Sequence, residues 1–348
     1  MAGLKLTPVP GVALLGATRA FAASGSWVSN DDIHALLYGD HWKSNMIEQG
    51  LDPEHPRRKG FSRRHWTLPP ESPRTGDEEN SADLMHRAAQ EVLLQTGVNI
   101  SEIDLFIAVS TTSPRYTSSL GTLVAGMLGY RGATFEMKSG CSSTIYAISI
   151  AYQFLAGPAR SVLIASAETL SRVISRNGPF IYAAGDGAGA LILQKGKDPQ
   201  RGLLAGFLDS DGSYADAMGV PGILPPIREA LDQGLYFMGQ SANLASDVRP
   251  RWLESQEAII DGKERTMDDI DLYIPHQTSS SILDMLSDSM GSHSGKLYRC
   301  LERFGNCGSA TIPIALSEAL ENGFSPGMRI FLNAVGGGLA WGSLLISV

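Results

Sequence analysis

Short β-branched runs alternate along the chain with longer stretches whose apolar residues recur every three or four positions, the pattern of an α/β fold. Strands are predicted at Leu105–Ser110, Val162–Ala167, Ala190–Leu193, Leu272–Pro275, Ile330–Ala334 and Ser343–Val348. Helical periodicity covers Asn80–Thr96, Ser142–Leu155, Ser279–Met290 and Ala310–Glu321. Near the start, Val12 to Gly16 reads as a first buried strand. The motif Phe21-Ala22-Ala23-Ser24 after it only faintly resembles a signal cleavage site, because Pro8, Pro10 and Arg19 interrupt the apolar stretch. Asp52–Asn80, rich in Pro, Arg and acidic residues, reads as a long exposed loop. It carries the densest basic cluster, Arg57-Arg58-Lys59-Gly60 with Arg63-Arg64.

The pattern repeats. Glu102-Ile-Asp-Leu-Phe-Ile-Ala-Val-Ser-Thr111 aligns with Asp269-Ile-Asp-Leu-Tyr-Ile-Pro-His-Gln-Thr278 at an offset of 278 − 111 = 167. The same offset pairs Thr144-Ile145 with Thr311-Ile312. One step further, Val162-Leu-Ile164 pairs with Ile330-Phe-Leu332 (330 − 162 = 168). Three matches in one order at nearly constant spacing predict duplicated halves, 1–197 and 198–348, meeting near Lys195–Gly202. Equivalent strand ends of two such halves can converge on one site, which would bring Cys141, His276 and Asn306 together at a pseudo-twofold axis.

Composition narrows the function classes. The 348 residues are 43% hydrophobic with 38 glycines, enough for a sizeable core with many close backbone contacts. A formal charge of −8 argues against a nucleic-acid binder, which needs a basic face, and gives no reason to expect an anionic membrane as partner. No apolar run is long enough to span a bilayer. Three cysteines in a chain this long do not make a disulfide framework, so they read as thiols in a reducing, cytoplasmic setting.

Candidate chemistry follows from local context. Ser139-Gly140-Cys141-Ser142-Ser143 opens a helix, where unpaired N–H groups and the positive end of the dipole favour a thiolate and lower its pKa. By residue type alone, Cys141 reads equally as a buried structural thiol. His276 follows an apolar strand that Pro275 brings to an end, a position where functional side chains gather. Its imidazole suits thiol activation or a hydrogen bond to an enolate oxygen. Asn306, between glycines, is by itself an ordinary turn residue. Gly336-Gly337-Gly338 permits backbone N–H groups to face a bound oxygen, or simply makes a tight hairpin. Gly185-Asp-Gly-Ala-Gly-Ala190 lacks dinucleotide-loop spacing and runs into a strand, so it reads as structural. No Walker lysine motif and no metal-ligand spacing occur, and no metal is expected.

In order, Arg58-Lys59-Gly60-Phe61, Gly140-Cys141, Gly185–Ala190, Pro275-His276-Gln277, Gly305-Asn306 and Gly336-Gly-Gly-Leu-Ala-Trp-Gly342 resemble the β-ketoacyl-ACP synthase III family of the thiolase superfamily over nearly the whole chain. The resemblance implies a thiolase fold with duplicated halves in five layers (αβαβα). It also implies a decarboxylative Claisen condensation of an acyl group on Cys141 with a malonyl-type thioester. The implied catalytic residues are Cys141, His276 and Asn306, with the N–H groups of Cys141 and Gly337 as oxyanion hole. Acyl-CoA or acyl carrier protein would be the partner and a homodimer the assembly. Ser118, Arg58, Arg172, Gln240 and Ser281 are the implied pocket or entrance positions. Departures fall at this entrance: Glu54 stands where a tryptophan is common, Ser281 where an arginine is, and Ser118 where an aromatic limits the acyl pocket. They imply a larger or more polar acyl group than acetyl, in a specialised fatty-acid or polyketide-type pathway. The alternative is a thiolase-fold acyltransferase that passes an acyl group to a hydroxyl or amine. Asn306 favours condensation, because an enolate needs a second donor and simple acyl transfer does not.

Overall fold

The computed structural model describes residues 3–23, 27–178, 180–222, 226–241, 244–321, 323 and 325–348; Ser24 of the cleavage-like motif lies outside them. Two sheets divide the chain. The first has the order Val12–Ala20, Asp186–Lys195, Ser161–Thr169, Leu105–Val109, Ala133–Met137. The second runs Leu4–Leu6, Gly202–Ser210, Ala340–Ser347, Arg329–Gly336, Leu272–Pro275. Between them lie the helices Ser143–Ala156 and Thr311–Glu321. Ser81–Thr96 and Leu120–Leu128 cover the outer face of the first sheet, and Leu244–Glu257 and Ser280–Met290 lie outside the second. This is the five-layer αβαβα arrangement.

Alternation along the strands builds it. Leu105, Ile107 and Val109 enter a central core shared by both sheets, while Phe106 and Ala108 enter an outer one. In the second half, Ile330, Leu332 and Ala334 point inward, and Phe331 and Val335 point to a third core. Such strands, buried on both faces, read as continuous apolar runs because helices cover each side.

The duplication is visible in the register. Leu105 pairs with Val162 in parallel, and Leu272 pairs with Ile330 in parallel, which reproduces the sequence offsets of 167 and 168. A bulge between Leu14 and Gly16 has its counterpart between Leu203 and Ala205, opposite Leu193/Ile192 and Ile346/Leu345 respectively. One asymmetry breaks the pattern: Leu4–Leu6 and Val9–Pro10 pair with Gly202–Ser210. Residues 4–10 therefore complete the sheet of the second half, although they lie inside the 1–197 segment.

The structure adds several elements to those expected, and three of the differences have a plain physical reason. Asp52–Asn80 is not simply loop, because it holds a short helix, His55–Arg58, and a strand, Arg63–His65, paired with Trp27–Ser29. Arg64 in that strand is fully buried, donating to Val28 O, Asn30 Oδ1 and Tyr182 O, and burial lowers its pKa to about 10. Second, the glycine-rich segment extends the expected Ala190–Leu193 strand back to Asp186. Gly189 leaves room for the Thr311–Glu321 helix: a Cβ there would lie 2.8 Å from Pro313 Cβ. Third, Leu244–Glu257 is a helix despite its internal Pro250 and many charges, which hide its periodicity in the sequence.

A candidate acyl-transfer site at the pseudo-twofold axis

Cys141 sits in the tight turn that leads into the Ser143–Ala156 helix. Short local bonds fix the turn. Ser142 Oγ donates to Ser139 O at 2.8 Å, Ser143 Oγ donates to Gly140 O at 2.6 Å, and Ser139 N–H donates to Ser143 Oγ at 2.6 Å. Gly140 adopts φ 58°, and a Cβ there would lie 2.7 Å from both N and O of Gly337. A Cβ on Gly336 would lie 2.6 Å from Cys141 N. Both glycines are needed because the hairpin backbone of one half touches the Cys141 turn of the other.

The same contact recurs with the halves exchanged. Gly308 is the repeat partner of Cys141 (308 − 141 = 167) and Glu168 that of Gly336 (336 − 168 = 168). Gly308 has φ 53°, and a Cβ on it would lie 3.1 Å from Glu168 Cγ. Across the axis Thr144 Oγ1 donates to Ser309 O at 2.6 Å, and the Ser166 and Ser309 hydroxyls are 2.9 Å apart.

A cavity of about 330 Å³ opens at this axis. Cys141, Gly140 and Gly337 line it from one side and Asn306 and Gly308 from the other. Thr111, Thr112 and Lys138 are its further polar contacts, and Leu170, Val173, Phe180, Met218, Val220 and Met238 make much of the rest apolar. Asn306 is held at both backbone ends, its N–H donating to Ala183 O at 2.8 Å and its carbonyl accepting from Gly185 N–H at 2.9 Å. Its Oδ1 accepts the Gly308 N–H at 2.9 Å, which leaves the Nδ2 hydrogens for a ligand.

His276 is placed differently. It is 1% exposed and does not line the cavity. Its N–H donates to Asn333 O at 2.8 Å, so it stands beside the strand that runs on to Gly336, at the same end of the sheet. Neither ring nitrogen has a hydrogen-bond partner among the described residues, and the ring stacks 6.4 Å from Trp252. Either ring nitrogen is therefore free to bond a group that reaches it. Gln277 next to it is a brace: Nε2 donates to Pro275 O and Tyr298 O, and Oε1 accepts from Cys300 and Leu301 N–H.

Burial dominates the electrostatics. It pushes the Cys141 thiol up to about 12, with the Glu168 carboxylate as a second cause. Desolvation thus opposes the lowering expected from the helix N-terminus. Burial also drops His276 to about 3, so its imidazole is neutral at neutral pH. A neutral imidazole with so low a pKa is a poor base and a good neutral donor, which favours the second of the two roles considered for it. Alkylation of Cys141 by iodoacetamide, followed by intact mass, should accordingly rise about tenfold per pH unit from pH 7 to 10. A plateau already reached by pH 8 would mean that the helix end governs the thiol after all.

Glu168 is a site residue that the sequence did not reveal. Fully buried, it accepts from Thr111 N–H at 3.0 Å, Thr111 Oγ1 at 2.9 Å and Thr112 Oγ1 at 2.7 Å, and from the Ser309 hydroxyl. It thereby fixes two cavity-lining threonines and ties them to the second half. The only prior signal was Thr111 at the end of the repeat, since the contacts themselves span 57 and 141 residues. Asp186 plays a similar bracing part. It accepts from Thr67 N–H and Oγ1 and from Ser171 N–H and Oγ, which confirms that its glycine-rich segment is structural.

None of the five expected entrance residues lines the Cys141 cavity. Ser118 is exposed in an outward groove formed with Pro114, Arg115, Tyr116 and Thr117. Arg58 pairs with Asp52 at the surface. Arg172 donates to Thr67 Oγ1 and Glu79 O, and Leu170 two residues earlier does line the cavity. Gln240 is exposed on a short strand opposite Met218, and Ser281 is exposed, its hydroxyl 3.0 Å from that of Ser279. Among the described residues no group of three or more His, Cys, Asp or Glu is placed to hold a metal, and no helix is long and apolar enough to cross a membrane.

The duplicated sheets around a shared helical layer, with a cysteine turn at their axis, define a thiolase-fold protein. The chain belongs to the β-ketoacyl-ACP synthase III family. Residues 135–212 match the family described as 3-Oxoacyl-[acyl-carrier-protein (ACP)] synthase III, and residues 260–348 match its C-terminal counterpart. A Beta-ketoacyl-[acyl-carrier-protein] synthase III from Paramagnetospirillum magneticum is 32% identical, covering 83% of this chain and 88% of that protein. Beta-ketoacyl-[acyl-carrier-protein] synthase III 5 from Streptomyces coelicolor is also 32% identical, covering 82% and 86%. The crystal structure of 3-oxoacyl-[acyl-carrier-protein] synthase III from Aquifex aeolicus superposes with a TM-score of 0.82 at 24% identity, over 97% of this chain and 100% of the other, and shares the fold.

Proposed function

We propose that the protein is an acyltransferase of the ketosynthase III type that joins an acyl group held on Cys141 to a malonyl-type thioester with loss of carbon dioxide. The observation that carries this reading is Asn306 lining the same cavity as Cys141, its Oδ1 held by Gly308 N–H, with the neutral, unpaired His276 at the neighbouring strand end. In this reading Cys141 Sγ attacks the acyl thioester, and the donor thiol leaves with the proton. Because the resting thiol is hard to ionise, its proton departs during the attack and not before it. The N–H groups of Cys141 and Gly337 hold the tetrahedral oxyanion. A malonyl-type thioester then loses carbon dioxide, His276 and Asn306 donate to the enolate oxygen, and the enolate carbon displaces Cys141. The chemistry balances without a metal or redox cofactor.

Family membership supports acyl-CoA or an acyl carrier protein as thioester carrier and a homodimer as assembly, and the three free thiols fit a reducing, cytoplasmic setting. A larger or more polar acyl group than acetyl remains the expected donor. Its support is now the apolar wall of the cavity, since Ser118 does not reach it. The test is intact-mass measurement with a panel of acyl thioesters, followed by malonyl thioester with carbon dioxide trapped. Acyl mass on the protein with no carbon dioxide on malonyl addition would leave transfer to a hydroxyl or amine as the activity. Reaction with acetyl-CoA alone would remove the larger donor.

A further inference from the structure

Among the described residues that line the Cys141 cavity, Lys138 is the one with a formal charge. It follows the Ala133–Met137 strand, three positions before the nucleophile, and is itself exposed, which puts it at the cavity's rim. It forms no ion pair or hydrogen bond with any described residue. The carboxylates nearby are committed elsewhere. Glu136 Oε2 accepts the Leu120 N–H at 2.7 Å, and Glu168 is ringed by the Thr111, Thr112 and Ser309 donors. In a chain of formal charge −8, a cation left without a counter-ion beside the reactive thiol is against the average. The fourteen-residue Ser143–Ala156 helix begins five positions later, and its positive end adds to the same field.

We infer that Lys138 receives an anionic oxygen group, a carboxylate or a phosphate, of the thioester that docks at Cys141. This rests on the reading of Cys141 as the acyl-accepting residue. Two parts of a thioester carry such a group: a carboxylate at the far end of the acyl chain, and a phosphate on the carrier arm. A strongly hydrated ammonium at an apolar rim suits either, by charge and not by a fixed fork geometry. Lys138 then selects among donors that the apolar wall alone would treat alike.

Thioether analogues that cannot acylate Cys141 separate these cases, because their protection of Cys141 from iodoacetamide reads binding alone. Three are compared in the whole protein: a neutral acyl analogue on N-acetylcysteamine, its carboxyl-terminated counterpart, and the neutral acyl analogue on CoA. Half-protection concentrations are measured for wild type and Lys138→Met, normalised to each protein's unprotected rate. At least one anionic analogue should protect wild type tenfold or more better than the neutral one, and the advantage should fall to within twofold in Lys138→Met. An advantage for the carboxyl-terminated compound assigns the acyl end, and one for CoA assigns the carrier phosphate. No advantage in wild type, or one that survives the substitution, overturns the inference. Incubation with the thioesters themselves tests the underlying reading separately: analogues that protect while no thioester acylates Cys141 would sink the condensing-enzyme reading and leave the anion site standing.

Discussion

Cys141→Ala will gain no acyl mass from any thioester that acylates the wild-type protein, and its condensing rate will fall by about a thousandfold or more. The other two thiols cannot substitute. Cys300 and Cys307 are 2% and 1% exposed, and neither lines the cavity. The substitution removes a single sulfur from a residue that is not fully buried, so the fold should survive it, and an unchanged thermal midpoint checks this. Persistence of the mass gain in Cys141→Ala would place the acyl group elsewhere and end the covalent mechanism.

Replacing either hydrogen-bond donor should separate the two half-reactions. In His276→Ala and Asn306→Ala, acylation of Cys141 should stay within about threefold, because neither side chain is asked to act until the enolate forms. Condensation should fall a hundred- to a thousandfold, the cost of about 3–4 kcal/mol typical of losing one donor to a developing oxyanion. The double variant should lose less than the product of the two, since both donors serve one oxygen. Asn306→Ala also surrenders the bond to Gly308 N–H, worth about 1 kcal/mol, so stability is measured alongside. Acylation and condensation falling together would show that these residues build the nucleophile's surroundings and do not act on the enolate.

The repeat was the most informative feature of the sequence. Short, continuous apolar runs rich in β-branched residues located the central strands within a few residues, and the 167 and 168 offsets reappear as hydrogen-bonded register. Elements that escaped notice are those whose composition does not advertise them. Ala133–Met137 is a five-residue edge strand with Glu136 inside it, and Leu244–Glu257 carries a proline and several charges. Arg64 looked like part of a surface patch because four other basic residues lie within seven positions of it in sequence. It is buried because the neighbouring Trp27–Ser29 strand and the 180–184 turn each offer it a carbonyl, and Asn30 an amide oxygen.

What the sequence determined by itself was the duplication, the residue types at equivalent strand ends, and with them the expectation that Cys141, His276 and Asn306 belong to one centre. These follow from periodicity and spacing, which are properties of the chain alone. Tertiary structure decided the electrostatics and the walls. Burial acts on the Cys141 thiol only once the chain is folded, with Gly336 and Gly337 brought against its turn from nearly two hundred residues away. Only folding could show that Glu168 braces the cavity, that the expected entrance residues lie outside it, and that Lys138 is the charged residue among the described ones lining it. Desolvation and long-range contact are sums over neighbours that no local pattern encodes.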